Sequence, residues 1–210
     1  MAENFIHGHL QFRHQFFNEA EWLKQLARDG QAPHALYIGC SDSRVVPEQL
    51  TSAKAGELFV VRNIANFVPP RAHPDLSVGA AIDYALGALK VQHVIVCGHT
   101  GCGGVKAAMA GAQQLPTSMP ELREWVADIE QGIAPVRGLG LTPEQAARRA
   151  EEENVLTALA NLASFESVAA GLAAGDLKLH GWLYDMHRLQ LSVYDDERDC
   201  FVDASEMVQS

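Results

Sequence analysis

The sequence predicts an α/β fold: a mostly parallel central sheet flanked by helices, with an antiparallel edge strand near the C-terminus and an N-terminal helical arm. Three observations carry this expectation. Short apolar, β-branched runs at residues 35–38, 58–61 and 93–97 alternate with segments of helical period, the signature of strand–helix–strand units. Those runs are continuously apolar rather than alternating, as strands covered on both faces of a parallel sheet are. Later, two strand-like runs at residues 178–183 and 189–194 are joined only by a turn around Met186, His187 and Arg188, too short for the crossover that a parallel pair needs.

Taken in order, residues 3–27 place Phe5, Phe12, Phe16, Leu23 and Leu26 near helical period, and Asp29-Gly30 supplies a stop. Gly8 predicts a break in the first turns. Phe16, Phe17 and Trp22 give this arm more aromatic surface than a solvated helix needs, and two readings stand: it packs on the chain's own core, or it grips a second subunit. Residues 76–89, with Ala80, Ala81, Tyr84, Ala85 and Ala88, form a helix; another follows Gly104 to about Gly111, and Met119-Pro120 opens a third. Thr142-Pro143-Glu144-Gln145 combines an N-cap, a first-turn proline and a capping-box glutamine. It starts a long Ala-rich helical stretch to about residue 174, interrupted near Ser164. Without a linker or repeat, the expectation is one domain over residues 1–210, with the arm at 1–29 and the α/β core at 30–210.

The composition is that of an ordinary globular protein: 48% hydrophobic and 20% charged residues, with a formal charge of −10. Acidic residues spread along the chain and offer no basic face for phosphates, so no nucleic-acid partner is expected. No apolar stretch is long enough to span a bilayer and no basic n-region precedes an apolar h-region, so neither membrane nor export is expected. A reducing cytoplasm is then the default compartment, and some of Cys40, Cys97, Cys102 and Cys200 are better read as metal ligands than as disulfides.

Two motifs carry the chemistry: Cys40-Ser41-Asp42-Ser43-Arg44 and His99-Thr100-Gly101-Cys102-Gly103-Gly104. Each follows a strand, and in open α/β sheets ligands collect beyond the carboxyl ends of strands. Gly39 and Gly98 are expected to turn the chain at the strand tips, and Gly101, Gly103 and Gly104 to let backbone approach the site. Singly, Cys40 reads as a small buried hydrophobe, His99 as a cap, and the glycine-rich segment as a phosphate cradle. The cradle lacks both the P-loop ending and dinucleotide spacing. Jointly, Cys40, His99 and Cys102 predict a Zn²⁺ site with three protein ligands and one open position, the catalytic rather than the structural pattern. Two thiolates cancel the charge of zinc, so its water is acidified less than in a three-histidine site and needs help from neighbouring groups. Asp42 is placed to accept a hydrogen bond from that water, and Arg44 to keep Asp42 ionised and off the metal.

Cys40-x-Asp42-x-Arg44 with His99-x-x-Cys102-Gly103 resembles the β-class carbonic anhydrases. The likeness continues through residues 56–66 and 180–185 and so spans nearly the whole chain. It implies reversible hydration of CO₂ to bicarbonate and a proton by zinc-bound hydroxide, and homodimers or dimer-based higher oligomers with sites at the subunit interface. Some members let the Asp close onto zinc, with bicarbonate in a Trp-Arg-Tyr pocket. The matching positions here are Tyr37, Arg62 and Tyr184, with Tyr in place of the Trp, which argues against that regulation, and residues 60–70 instead resemble the plant-type, open-site subgroup. In that subgroup a CO₂ pocket is lined by counterparts of Gln31, Phe59, Ile64 and Tyr84, with the Gly103 backbone close by. For Phe59 and Tyr84, plain core packing is the alternative. An apolar wall suits CO₂, which is small and uncharged.

Other functions remain open at this level: hydrolysis of carbonyl sulfide or carbon disulfide by the same ligands, or a noncatalytic structural zinc protein. The spacing of Cys97 and Cys102 is not that of a redox CxxC. His34, His73, His93, His180 and His187 are proton-transfer candidates by residue type alone.

Overall fold

The structure is a computed structural model describing residues 2–16, 21–73 and 75–207. The chain divides into two units, residues 1–32 and 33–210.

In the first unit, α1 (Ala2–Phe16) is followed by α2 (Glu21–Asp29). The break predicted at Gly8 does not occur. A single helical glycine costs about 1 kcal/mol, and the remaining turns of α1 carry it. Gly30, at φ 88, ends α2, its N–H donating to the Leu26 carbonyl at 2.9 Å. Phe5, Ile6, Leu10 and Phe12 are exposed; Phe17 and the side chain of Phe16 lie outside the described residues.

The second unit runs β1 (Ala35–Cys40), α3 (Pro47–Thr51), β2 (Leu58–Asn63), α4 (Leu76–Asp83) with a wider turn at Tyr84–Ala88, β3 (His93–His99), α5 (Gly103–Ala110), α6 (Pro120–Gly132), α7 (Pro143–Leu162), α8 (Glu166–Ala174), β4 (Lys178–Asp185), β5 (Gln190–Asp195), β6 (Cys200–Asp203) and α9 (Ala204–Met207). The sheet order is β2-β1-β3-β4-β5-β6. The first four strands are parallel and the last two antiparallel. The outer strand is therefore β6, and β5 lies inside it; Cys200–Asp203 carries only Phe201 and Val202 as apolar signal, too little to show a period.

Burial on both sides explains the unbroken apolar runs. Leu36, Ile38, Val94 and Val96 pack with Val155, Ala158 and Leu162 of α7, together with Phe165 and Val168. From the alternate positions, Ala35, Tyr37, Ile95 and Cys97 form a cluster against Leu50, Leu58, Val60, Trp182 and Tyr184. Helix α7 starts as its sequence requires: Thr142 Oγ1 accepts from the Gln145 N–H, and Gln145 Oε1 accepts from the Thr142 N–H. Among the described residues no single helix is long and apolar enough to cross a membrane.

Two glycines work differently from expectation. Gly39 and Gly98 lie inside β1 and β3 rather than at turns. A Cβ at Gly98 would stand 2.7 Å from Val155 Cγ2 and 3.1 Å from Leu183 Cδ1, so glycine here lets α7 and β4 close over the strand. Gly98→Ala is expected to lower stability by about 1–3 kcal/mol, the usual cost of overpacking. Urea unfolding checks this, and an unchanged midpoint would refute the close-approach argument.

Candidate metal centre

β1 and β3 are neighbours that run in register, Gly39 opposite Cys97, so they release Cys40 and His99 at the same end of the sheet. From β1 the chain crosses to β2 on one side and then returns to β3 on the other, which opens a crevice at the strand tips. Gly101, at φ 68, turns the chain after β3 and brings Cys102 to the N-cap of α5. The outcome is a cluster in which one ligand atom each from Cys40, His99 and Cys102 lie within 4.8 Å of one another, all three residues buried. The two Sγ atoms are 3.9 Å apart.

The imidazole is set for a metal. His99 Nδ1 lies 3.0 Å from the Thr100 carbonyl, which can only accept, so Nδ1 carries the proton and Nε2 the lone pair. Nε2 is buried and has no hydrogen-bond partner in the protein. Such an orphan costs about 1–3 kcal/mol, and a cation answers it. Two thiols and an imidazole nitrogen are the donor set that zinc accepts, so the residues present fit the ion.

Ionisation of the thiols is coupled. The hydrogen bond from Cys102, helped by the nearby His99 ring, holds the Cys40 thiol well below its usual range against burial. The same bond and burial push Cys102 up. The pair takes one negative charge readily and a second only beside a cation. Burial opposes charge on His99, while the neighbouring Cys40 favours it and prevails.

Asp42 is withheld from the cluster. Its Oδ2 accepts from Arg44 Nη2 at 2.7 Å, and its Oδ1 accepts from Arg44 Nε at 2.9 Å and from the Arg44 backbone N–H at 3.0 Å. These bonds hold the carboxyl well below the ordinary carboxylate range. Asp42 Oδ2 remains 3.9 Å from His99 Nε2, beside the cluster but outside it.

Two supporting residues were not assigned these roles from the sequence. Arg62 donates from Nε to the Cys40 carbonyl at 2.9 Å and from Nη2 to the Asp42 carbonyl at 2.6 Å, bracing the turn that carries both residues. Glu151, buried on α7, accepts at Oε1 from the N–H groups of Gly101 (2.6 Å) and Cys102 (3.4 Å). Burial raises its pKa and those two donors oppose the rise. Its signal lay in helix phase: Val155, Ala158 and Leu162 define the buried stripe of α7, and Glu151 is in line with them.

The pocket candidates separate. Ile64 lies against the start of α5, since a Cβ at Gly104 would be 2.8 Å from Ile64 Cγ2; Gly103 opens that helix. Phe59 sits in register with Leu36, four residues before Cys40, or about 13 Å down the strand. Its ring packs on Tyr84, centroids 5.7 Å apart, and Tyr84 is 49% exposed. Gln31 belongs to the N-terminal unit and is exposed. Of the anion-pocket positions, Tyr37 is fully buried with Tyr184 alongside, and Arg62 is committed to the two carbonyls. Among the histidines, His187 lines a cleft of about 730 Å³ that also touches Thr100 and Gly101. His93 and His180 meet at the opposite end of the sheet.

A mostly parallel sheet with a buried Cys-His-Cys cluster that could hold a metal, and an Arg-held Asp beside it at the strand tips, is the architecture of an α/β enzyme. The sequence profile of the carbonic anhydrase family matches residues 35–191. A carbonic anhydrase of Pseudomonas aeruginosa is 37% identical over 208 residues, covering 96% of this chain and 91% of that protein. The solved β-carbonic anhydrase CcaA superposes with TM-score 0.91 at 36% identity, covering 96% of this chain and 91% of that one. A tetrameric β-carbonic anhydrase of Sordaria macrospora gives 0.77 at 26% identity, covering 95% and 99%. The chain belongs to the β-carbonic anhydrases, enzymes whose general reaction is the hydration of CO₂.

Glu151→Ala strips the Gly101 and Cys102 N–H groups of their buried acceptor, and metal affinity should fall by about 10–100-fold, as when other supports of metal ligands are removed. Glu151→Gln keeps an acceptor oxygen and should lose much less. Competition with a chelator measures both; equal retention by the alanine variant and wild type would refute this role.

Proposed function

We propose that this protein catalyses the reversible hydration of CO₂ to bicarbonate and a proton, using zinc held by Cys40 Sγ, His99 Nε2 and Cys102 Sγ. The observation that carries the reading is the buried, unpartnered His99 Nε2 beside two thiols, with Asp42 kept off by Arg44. When bound, zinc supplies a water acidified enough to act as the nucleophile near neutral pH. Asp42, kept ionised by its pairing with Arg44, would offer a carboxylate oxygen as the acceptor that orients such a water. By bonding both carboxylate oxygens of Asp42, Arg44 would keep this carboxylate from becoming a further ligand. The apolar side chain of Ile64 offers CO₂ a wall without a desolvation cost.

Assembly enters the same proposal. Phe59 and the exposed Tyr84 lie too far down the sheet to line their own chain's cluster, so they serve the pocket of a second copy in a homodimer or larger assembly. The tetrameric relative supports this.

Cys102→Ser should lose most zinc and activity together, because a neutral hydroxyl replaces a thiolate. Arg44→Ala should keep most of its zinc while turnover falls roughly tenfold to a hundredfold. Metal analysis with stopped-flow CO₂ hydration separates these outcomes, and carbonyl sulfide assayed beside CO₂ tests the related hydrolase activity. Full turnover in Arg44→Ala, or full zinc in Cys102→Ser, would contradict the assignment. For assembly, Tyr84→Lys should shift sedimentation towards monomer and reduce CO₂ turnover with zinc retained; a monomeric, fully active variant would contradict the shared pocket.

A further inference from the structure

At the end of the sheet remote from the cluster, two histidines face each other across adjacent strands. His93 opens β3, and His180 lies in β4. In the register of that parallel pair His93 is opposite Lys178, and His180 opposite Ile95. His93 Nδ1 and His180 Nε2 are 3.1 Å apart, with ring centroids at 5.2 Å and planes tilted by 46°. Both side chains are half-buried. His99 lies six positions beyond His93 along β3, about 20 Å at the usual rise, so the pair is independent of the Cys-His-Cys cluster.

We infer that His93 and His180 form a second cation site, a two-imidazole chelate for a late first-row divalent metal such as Ni²⁺ or Zn²⁺. Geometry is the first argument. Two nitrogens 3.1 Å apart, each bound at about 2.0–2.1 Å, subtend roughly 95–100° at a shared metal, between the octahedral and tetrahedral angles. The strands fix the Cα positions, and only the soft χ2 torsions need adjust to converge the lone pairs. Chemistry is the second argument, because imidazole nitrogen is a preferred ligand of these metals. The surrounding charge is mixed. Burial, then the charges of His93 and Lys178, disfavour protonation of His180, while Asp196 opposes them. No third His, Cys, Asp or Glu joins the pair among the described residues, so water completes the shell from the exposed side. A proton shared between the rings fits the same 3.1 Å, and proton and metal compete for one place.

The test titrates Ni²⁺ into the zinc-loaded protein by calorimetry, alongside His93→Asn and His180→Asn. Wild type is expected to show a binding event that each variant weakens by about tenfold or more, since a chelate loses at least what removal of an outer partner costs. Ni²⁺ should raise the melting temperature of wild type more than that of either variant, because a ligand held only by the folded pair stabilises the fold. CO₂ hydration without added nickel should be the same in all three proteins. Equal nickel binding by wild type and both variants overturns the site and leaves a shared proton only. Loss in one variant alone overturns the chelate, which needs both rings.

Discussion

The chemistry of this protein hangs on the register between β1 and β3. Both strands are buried on both faces, so neither can slip without moving an entire apolar set out of its layer. With Gly39 opposite Cys97, the chain must release Cys40 and His99 side by side, and one further turn suffices to add Cys102. A metal-sized cluster thus follows from apolar packing many residues away. Gly98 belongs to the same constraint: it admits Val155 and Leu183 to within contact of the strand just before His99, so the tip is held down by α7 and β4.

Around that tip, three polar side chains fix the backbone. Arg62 binds the carbonyls of Cys40 and Asp42, Glu151 the N–H groups of Gly101 and Cys102, and Asn154 the carbonyl of Ala65 at 2.8 Å. Ala65 has φ 62, a left-handed conformation that costs a non-glycine residue roughly 1–3 kcal/mol unless its surroundings impose it. That strained turn seats Ile64 against the start of α5. Helix α7 therefore acts as a spine, contributing Glu151 to one loop and Asn154 to the other, and its own start is secured by the Thr142–Gln145 capping box.

Much of this was legible in the sequence, for identifiable reasons. Parallel strands announce themselves as unbroken apolar runs, and capping boxes and proline starts mark helices locally, so β1, β2, β3, α6 and α7 could be placed. Cys40, His99 and Cys102 drew attention because their side chains have few other uses together. What stayed hidden was nonlocal or weakly patterned. β6 is four residues long and shows no period. Gly8 reads as a breaker in isolation, yet the helix runs through it. Glu151 is one of three consecutive glutamates and drew no assignment, although the phase of α7 puts it inside. Arg62 was read for its charge, whereas its geometry is that of a brace.

The two ends of the sheet show why proximity of reactive groups alone does not make a catalytic site. At the carboxyl ends, the strand tips diverge into loops, Nε2 of His99 is buried without a partner, and Asp42 is restrained by three hydrogen bonds from Arg44. These features combine unmet coordination with a positioned acceptor. At the amino end, His93 and His180 can satisfy each other, and no restrained carboxylate is hydrogen-bonded to them. A cation there would gain two ligands but no oriented partner for a reaction. The difference lies in what surrounds the ligands: the first arrangement is suited to turning over a small neutral molecule, the second to holding an ion.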